Sequence, residues 1–475
     1  MSGRKLKWEM FTIAAVGNFI AMLDSTTVNL ALYPMSEDLK VSIDLIQWVM
    51  ISYMLVLTVF LPFFGKLGDI FPKNKLYASG YSIFAIGALL SMIAPNFITL
   101  IIFRCIEALG ASIMLSNAQA IIAGIFKKER RGKALGLNGC IVAIGGMSGP
   151  ALGGILIHYL NWHWVFFPCI PIAVLGAVYS WRLLPKYVKK KVFKFDYKGF
   201  LYFTLSLFAL LVAISEGHQW GWRSVKIIIL GVITLIFGGL FYFRDMKINY
   251  PLINFSMFKI KPFTFGNMAV MTSYMAMYTN SILLPFYLQD ILSLNALIAG
   301  CLILPYSVTL SIAAPISGRL SGKYGSRYLT IAGPVVYIIA LLIFTTFNKT
   351  TPYWEIIVAS GIMGIGNGLF QSPSNNAIMT SVQKSELGIA SGILALSRNL
   401  GNILGVAVTI TLFETFRELY THNGQNYDMA FLNSYHTTMW FGILFGVVCL
   451  TFAYVAYKPQ TPKLPLPQVK ISKSA

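Results

Sequence analysis

The chain has 475 residues, 56% of them hydrophobic and only 11% charged, and a mean hydropathy of +0.68. Soluble domains run near ~45–50% apolar and about 25% charged, so both a soluble enzyme and a disordered chain are excluded. The net charge of +20 would suit a nucleic-acid binder. In so apolar a chain it instead marks loops held on the cytoplasmic side of a membrane.

Fourteen apolar stretches, each about long enough to cross a bilayer as a helix, follow in order at 10–32, 45–64, 76–94, 97–120, 134–157, 163–181, 199–214, 225–243, 263–288, 296–316, 328–346, 354–373, 389–413 and 433–457. They are continuous runs, about twice the length of the alternating segments of a membrane β-barrel. Of the 37 Lys and Arg, thirty fall before the first stretch, in alternate loops and in the tail, five on the other side, and two, Arg104 and Arg398, inside spans. That asymmetry predicts fourteen spans with both termini cytoplasmic. The basic start (Arg4, Lys5, Lys7) resembles a signal peptide, but Asp24 interrupts the apolar run and no small-residue cleavage site follows. An uncleaved first helix is therefore expected.

The basic loop from Arg182 to Lys198 separates six spans from the rest, and a second, Arg244 to Lys261, precedes the last six. The expected organisation is an N-terminal six-helix bundle (1–185), a linker with two extra spans (186–250), a C-terminal six-helix bundle (251–457) and a cytoplasmic tail (458–475). Gly65-Lys-Leu-Gly-Asp69 follows span 2, and Gly318-Arg-Leu-Ser-Gly322 follows span 10. Glycine patterns in corresponding places of the two halves are what a transporter built of parallel repeats leaves.

Ionisable groups inside a bilayer are costly and ask for a reason. Two acids lie deep in spans, Asp24 in span 1 and Glu107 in span 4, and Arg104 precedes Glu107 by three residues on the same helical face. The pair in span 4 is either a static lock on helix packing or part of a proton path, and Asp24 either a satisfied acid or a carboxyl that takes up and releases protons. Between spans 2 and 3, GKLGDIFPKNK offers glycines for close backbone approach, Asp69 to cap a helix end, and Lys73 and Lys75 to reach a carboxylate. In span 5, GGMSGPALGG gives a smooth face (Gly145, Gly149, Gly153, Gly154) bent at Pro150. That face suits a static interface or a sliding one. No G-x-x-x-x-G-K-[ST] loop occurs and no histidines stand at metal-ligand spacing, so neither ATP drive nor a cofactor or metal is expected.

Together these segments resemble the major facilitator superfamily, in its fourteen-span drug:proton antiporter branch. LDSTTVNLALYP resembles the span-1 signature through Asp24 and Asn29, and GKLGDIFPKNK the loop motif through Gly65, Asp69 and Lys73. Arg104 matches the span-4 arginine, and GGMSGPALGG the antiporter motif. WHWVFFPCIPI, FDYKG, LPFYLQDIL and GIASGILALSRNLGNILGVA extend the resemblance over nearly the whole chain. Glu107 stands where the span-4 motif carries glutamine, Pro72 replaces a glycine of the loop motif, and Gly322 replaces the acid in its second copy.

The resemblance implies an all-α polytopic membrane protein of the bacterial cytoplasmic membrane, without enzymatic activity or cofactor. Such a protein exports amphipathic, cationic drugs or dyes as a monomer, in exchange for protons, by alternating access. Proton coupling is expected at Asp24, Glu107 and Arg104. Gating is expected at Gly65, Asp69, Lys73, Gly145, Gly149, Pro150, Gly153 and Gly154, and substrate contact at Asn29, Tyr274, Tyr278 and Phe370. Export of a physiological compound (a fatty acid, peptide, amino acid or siderophore) is the alternative within transport, and a non-transporting membrane sensor the alternative outside it.

Overall fold

The structure, a computed structural model, describes residues 3–41, 43–185, 196–248, 251–294 and 296–457. The tail and most of the basic loop from Arg182 to Lys198 therefore lie outside the described residues.

Fourteen long helices occupy the fourteen predicted spans. They are α1 (Gly3–Asp38), α2 (Trp48–Ile70), α3 (Lys73–Met92), α4 (Phe97–Ile125), α5 (Lys128–Tyr159), α6 (Cys169–Leu183), α7 (Tyr197–Trp220), α8 (Val225–Lys247), α9 (Lys261–Phe286), α10 (Ala296–Tyr324), α11 (Arg327–Phe344), α12 (Tyr353–Ser381), α13 (Leu387–His422) and α14 (Tyr427–Ala456). Eleven are long and apolar enough to cross a bilayer on composition alone. The other three, α3, α9 and α12, turn their polar residues into protein rather than lipid: Asn74 of α3, Asn267 and Thr279 of α9, and Asn375 and Asn376 of α12 are buried.

Local sequence explains where helices begin and end. Asn96 caps α4 with a reciprocal side-chain pair to Thr99, Asp196 caps α7 at the Gly199 amide (3.0 Å), and Ser224 caps α8. Many of the helices run past the ends of the predicted spans, and two of the differences fall at prolines. Helix α1 runs through Pro34 to Asp38 instead of closing near residue 32. Span 6 is broken at its start: Trp162–Phe166 forms a 3₁₀ turn and the α-helix begins only at Cys169, because Pro168 and Pro171 cannot donate within a helix interior but suit its first turn.

The first six helices share one core, built around Tyr77, Tyr81, Phe84 and Phe166, and the last six a second, around Phe344, Phe370 and Tyr435. Helices α7 and α8 form a hairpin, tied at its ends by Arg244, which donates to Asp196 at 2.8 Å. Leu207, Leu211 and Val212 of α7 lie over Leu55 and Val59 of α2 and against Leu396 and Leu400 of α13, so the hairpin covers the seam between the halves. Leu235 and Phe243 of α8 stay exposed, as residues that face lipid tails do.

Candidate transport site and gate

The halves meet at the end of the molecule that carries the basic loops. Here α2 packs on α13 and α5 on α10. Glycine makes both crossings possible: a Cβ on Gly65 would stand 2.6 Å from the Gly388 carbonyl oxygen, and one on Gly132 would stand 2.1 Å from that of Gly318. Gly65 and Gly318 are the matching glycines of the two motif copies, so the repeat read in the sequence performs the same task twice. The copies diverge at their acid. Asp69 accepts from the Gly388 and Ile389 amides at 2.7 and 2.9 Å, placing a carboxylate on the open N-terminus of α13. At the position of Asp69 the second copy has Gly322, and beside its crossing α5 is bonded by α12, whose Ser372 hydroxyl donates to the Gly132 carbonyl at 3.1 Å. Lys73 forms no ion pair within 4 Å among the described residues; it donates to Asn117 Oδ1 at 3.0 Å, and Asn117 in turn donates to the Phe64 carbonyl, joining α2, α3 and α4.

Deep in the N-terminal half, Arg104 Nη1 donates to Asp24 Oδ2 and to Glu107 Oε2, each at 2.8 Å. All three side chains have no solvent exposure. The guanidinium lies 4.2 Å from the Tyr53 ring centre and 5.7 Å from that of Phe166. The set is under-satisfied: Asp24 Oδ1, Glu107 Oε1, and Arg104 Nε and Nη2 are buried without hydrogen-bond partners among the described residues. Buried ions are tolerated only when paired, and here two acids share one base.

The glycine face of span 5 packs on α1, the helix of Asp24. A Cβ on Gly149 would fall 1.9 Å from Thr26 Oγ1, one on Gly145 2.7 Å from the Phe19 carbonyl oxygen, and one on Gly153 3.0 Å from Thr27 Cγ2. Gly154 has ordinary clearance from Leu30, and α5 runs unbroken to Tyr159; Pro150 lies outside the residues whose side chains are described.

Between the halves lies a cavity of about 420 Å³. The N-terminal half contributes Asn18, Gln119 and Gly146 among others; the C-terminal half contributes Tyr274, Tyr278, Tyr306, Gln371, Arg398 and Asn399. Gln371 donates to the Tyr274 hydroxyl at 2.5 Å and Asn367 to that of Tyr306 at 2.6 Å, which fixes two of the rings. Among the described residues Arg398 is the one charged residue in the lining, and its Nε and Nη2 are buried there without partners.

Of the four residues expected at the substrate, Tyr274 and Tyr278 line this cavity. Asn29 is exposed on α1 outside it, and Phe370 is buried against Gly333 in the C-terminal core. Arg398 was legible as the second intramembrane arginine but not as a site residue. Its sequence signal is that no acid stands within four positions of it on α13. Asp24, Arg104 and Glu107 do not line the cavity; α1 joins the two places, with Asn18 and Met22 on the cavity and Asp24 on the arginine.

The family model described as Major Facilitator Superfamily matches residues 14–243 and 266–474. The chain belongs to the major facilitator superfamily. It is 34% identical over 435 residues to the riboflavin transporter RibZ of Clostridioides difficile (strain 630), covering 91% of this chain and 94% of that one. It is 28% identical over 403 residues to the multidrug resistance protein Stp of Mycobacterium tuberculosis (strain CDC 1551 / Oshkosh), covering 84% and 75%. To the lincomycin resistance protein LmrB of Listeria monocytogenes serovar 1/2a it is 27% identical over 410 residues, covering 86% and 87%. Among solved structures, the proton:xylose symporter XylE shares the fold with a TM-score of 0.64 at 13% identity, covering 93% of this chain and 95% of that one. The protein is thus a multi-pass membrane transporter of this superfamily, not an enzyme.

Proposed function

We propose that this transporter moves a planar, hydrogen-bonding compound of neutral or anionic character, of the flavin type, across the bacterial cytoplasmic membrane in exchange for protons. The observation that carries this reading is Arg398: the central cavity offers a cation and no carboxylate. A cationic drug would meet an unscreened positive charge in a low-dielectric site, where like charges repel strongly. A carbonyl-rich ring system is favoured instead. The planar fork of a guanidinium donates to paired acceptors, the Asn and Gln amides supply further donors and acceptors, and the tyrosines give flat apolar faces for stacking. Similarity to a riboflavin transporter supports the same class. The relatives named for multidrug and lincomycin resistance support export as the direction.

Coupling belongs to Asp24, Arg104 and Glu107. Two carboxylates on one guanidinium carry a net negative charge in a site closed to bulk solvent, and one added proton makes the trio neutral. Asp24 carries the coupling and Glu107 assists it. Because α1 bears both Asp24 and cavity residues, protonation is communicated to the substrate through a shift of α1 on the glycine face of α5. The crossing glycines and Asp69 hold the cytoplasmic side closed while the site faces outward, and both termini are cytoplasmic. The protein acts as a monomer of two six-helix bundles (1–185 and 251–457) joined by the segment 186–250.

The test is binding to purified protein, read as quenching of flavin fluorescence, for wild type and Arg398→Gln. Riboflavin should bind the wild type, and the variant should lose about tenfold in affinity, one good charge-assisted hydrogen bond. Saturable binding of a permanent organic cation, with none of riboflavin, would overturn the reading.

A further inference from the structure

A second, smaller pocket of about 60 Å³ lies inside the C-terminal half, between α9, α10 and α12. It shares Met277, Ser281 and Tyr306 with the central cavity and is otherwise walled by apolar side chains such as Met363, apart from two polar residues. Those two are Asn280 and Ser360, 7% and 1% exposed. Asn280 Oδ1 and Ser360 Oγ have no hydrogen-bond partner among the described residues. Buried polar atoms are nearly always satisfied, and both residues line a cavity with room for about four water-sized groups at ~10–15 Å³ each.

We propose that this pocket is a polar subsite that takes a hydroxylated arm of the substrate while the ring system stays in the central cavity. It rests on the preceding assignment of a planar substrate to that cavity. Asn280 Oδ1 can only accept, and the Ser360 hydroxyl both donates and accepts, so an arm bearing two or more hydroxyl groups satisfies both. An alkyl arm of the same length would leave both atoms unpaired and is discriminated against, because a site built for hydroxyls rejects the analogue that lacks them. Met277 and Tyr306 form the sill between the two cavities, and Asn367 holds both, donating to Met277 Sδ at 2.9 Å and to the Tyr306 hydroxyl at 2.6 Å. The entrance is thus a built feature.

Two probes separate arm from ring: riboflavin, which carries a five-carbon polyol, and lumiflavin, the same ring with a methyl group in its place. Each is titrated into the purified full chain, as wild type, Asn280→Leu and Ser360→Val. The wild type should prefer riboflavin by about tenfold or more, and each variant should lower riboflavin affinity about tenfold with lumiflavin unchanged. Lumiflavin binding also reports that the variants are folded. Riboflavin bound no better than lumiflavin, or a preference that survives both substitutions, would mean a pocket filled by water only and would overturn the subsite alone. A wild type that binds neither flavin would overturn the flavin assignment and this subsite with it.

Discussion

Asp24 and Glu107, eighty-three positions apart in sequence, accept hydrogen bonds from one and the same nitrogen of Arg104, each at 2.8 Å. The relationship ties α1 to α4 through a charge cluster that has no contact with solvent. Breaking a buried pair by deleting one partner costs about 3–5 kcal/mol. Arg104→Leu, which strands two carboxylates, should therefore unfold at markedly lower temperature than the wild type in a detergent thermal-shift assay. Loss of the arginine without loss of stability would mean that the acids are held by other groups.

The two acids should differ in consequence. Asp24→Asn keeps shape and removes the proton site, so transport driven by a pH gradient should fall to background while exchange of labelled for unlabelled substrate without a gradient persists. Glu107→Gln should keep substantial gradient-driven transport, because one carboxylate still balances Arg104. Both are measured in proteoliposomes. Equal loss in the two variants would contradict the division of roles.

At the gate, the close approach of Gly65 and Gly388 leaves no room for a side chain. Gly65→Val should hold the crossing of α2 and α13 apart. A cysteine placed on that face of α13, at Ser391, which is buried in the closed form, should then react with a thiol reagent faster than in the otherwise wild-type protein. Asp69→Asn should slow transport while leaving substrate affinity near normal. It removes the charge at the N-terminus of α13, a contribution of about 0.3–2 kcal/mol to the closed form. Unchanged labelling at residue 391 would mean that the crossing does not gate.

Topology is checked from both sides of the membrane. In a cysteine-free background, a cysteine at Thr350 should react with an impermeant reagent on intact cells, and one at Lys384 only after permeabilisation. Both positions are exposed in the structure, so silence at either reflects the membrane and not burial.

Much of the fold was legible because a bilayer leaves few choices. Continuous apolar runs must be helices, and each of the fourteen runs is occupied by one. Less visible was which side of each helix faces protein. Phe370 looks like a cavity aromatic on composition, yet its Cβ and backbone lie against Gly333 and its side chain is buried in the C-terminal core. Asn29 belongs to the span-1 signature, yet α1 turns it outward a turn beyond Asp24. The ion pair of Arg104 and Glu107 could be read from a spacing of three, whereas the arrival of Asp24 on the same nitrogen depends on how α1 crosses α4. Arg398 was hidden for a related reason: a lone arginine announces a need for a partner, but only tertiary structure reveals that the central cavity supplies none.

The most direct test of the central claim is transport in proteoliposomes holding the purified protein under an imposed pH gradient, with riboflavin and tetraphenylphosphonium offered as rival substrates to wild type, Asp24→Asn and Arg398→Gln. The account predicts gradient-driven movement of riboflavin by the wild type, its loss in Asp24→Asn, its weakening by about tenfold in apparent affinity in Arg398→Gln, and no movement of the cation in any of the three. Gradient-driven movement of tetraphenylphosphonium by the wild type, with riboflavin left behind, would contradict it.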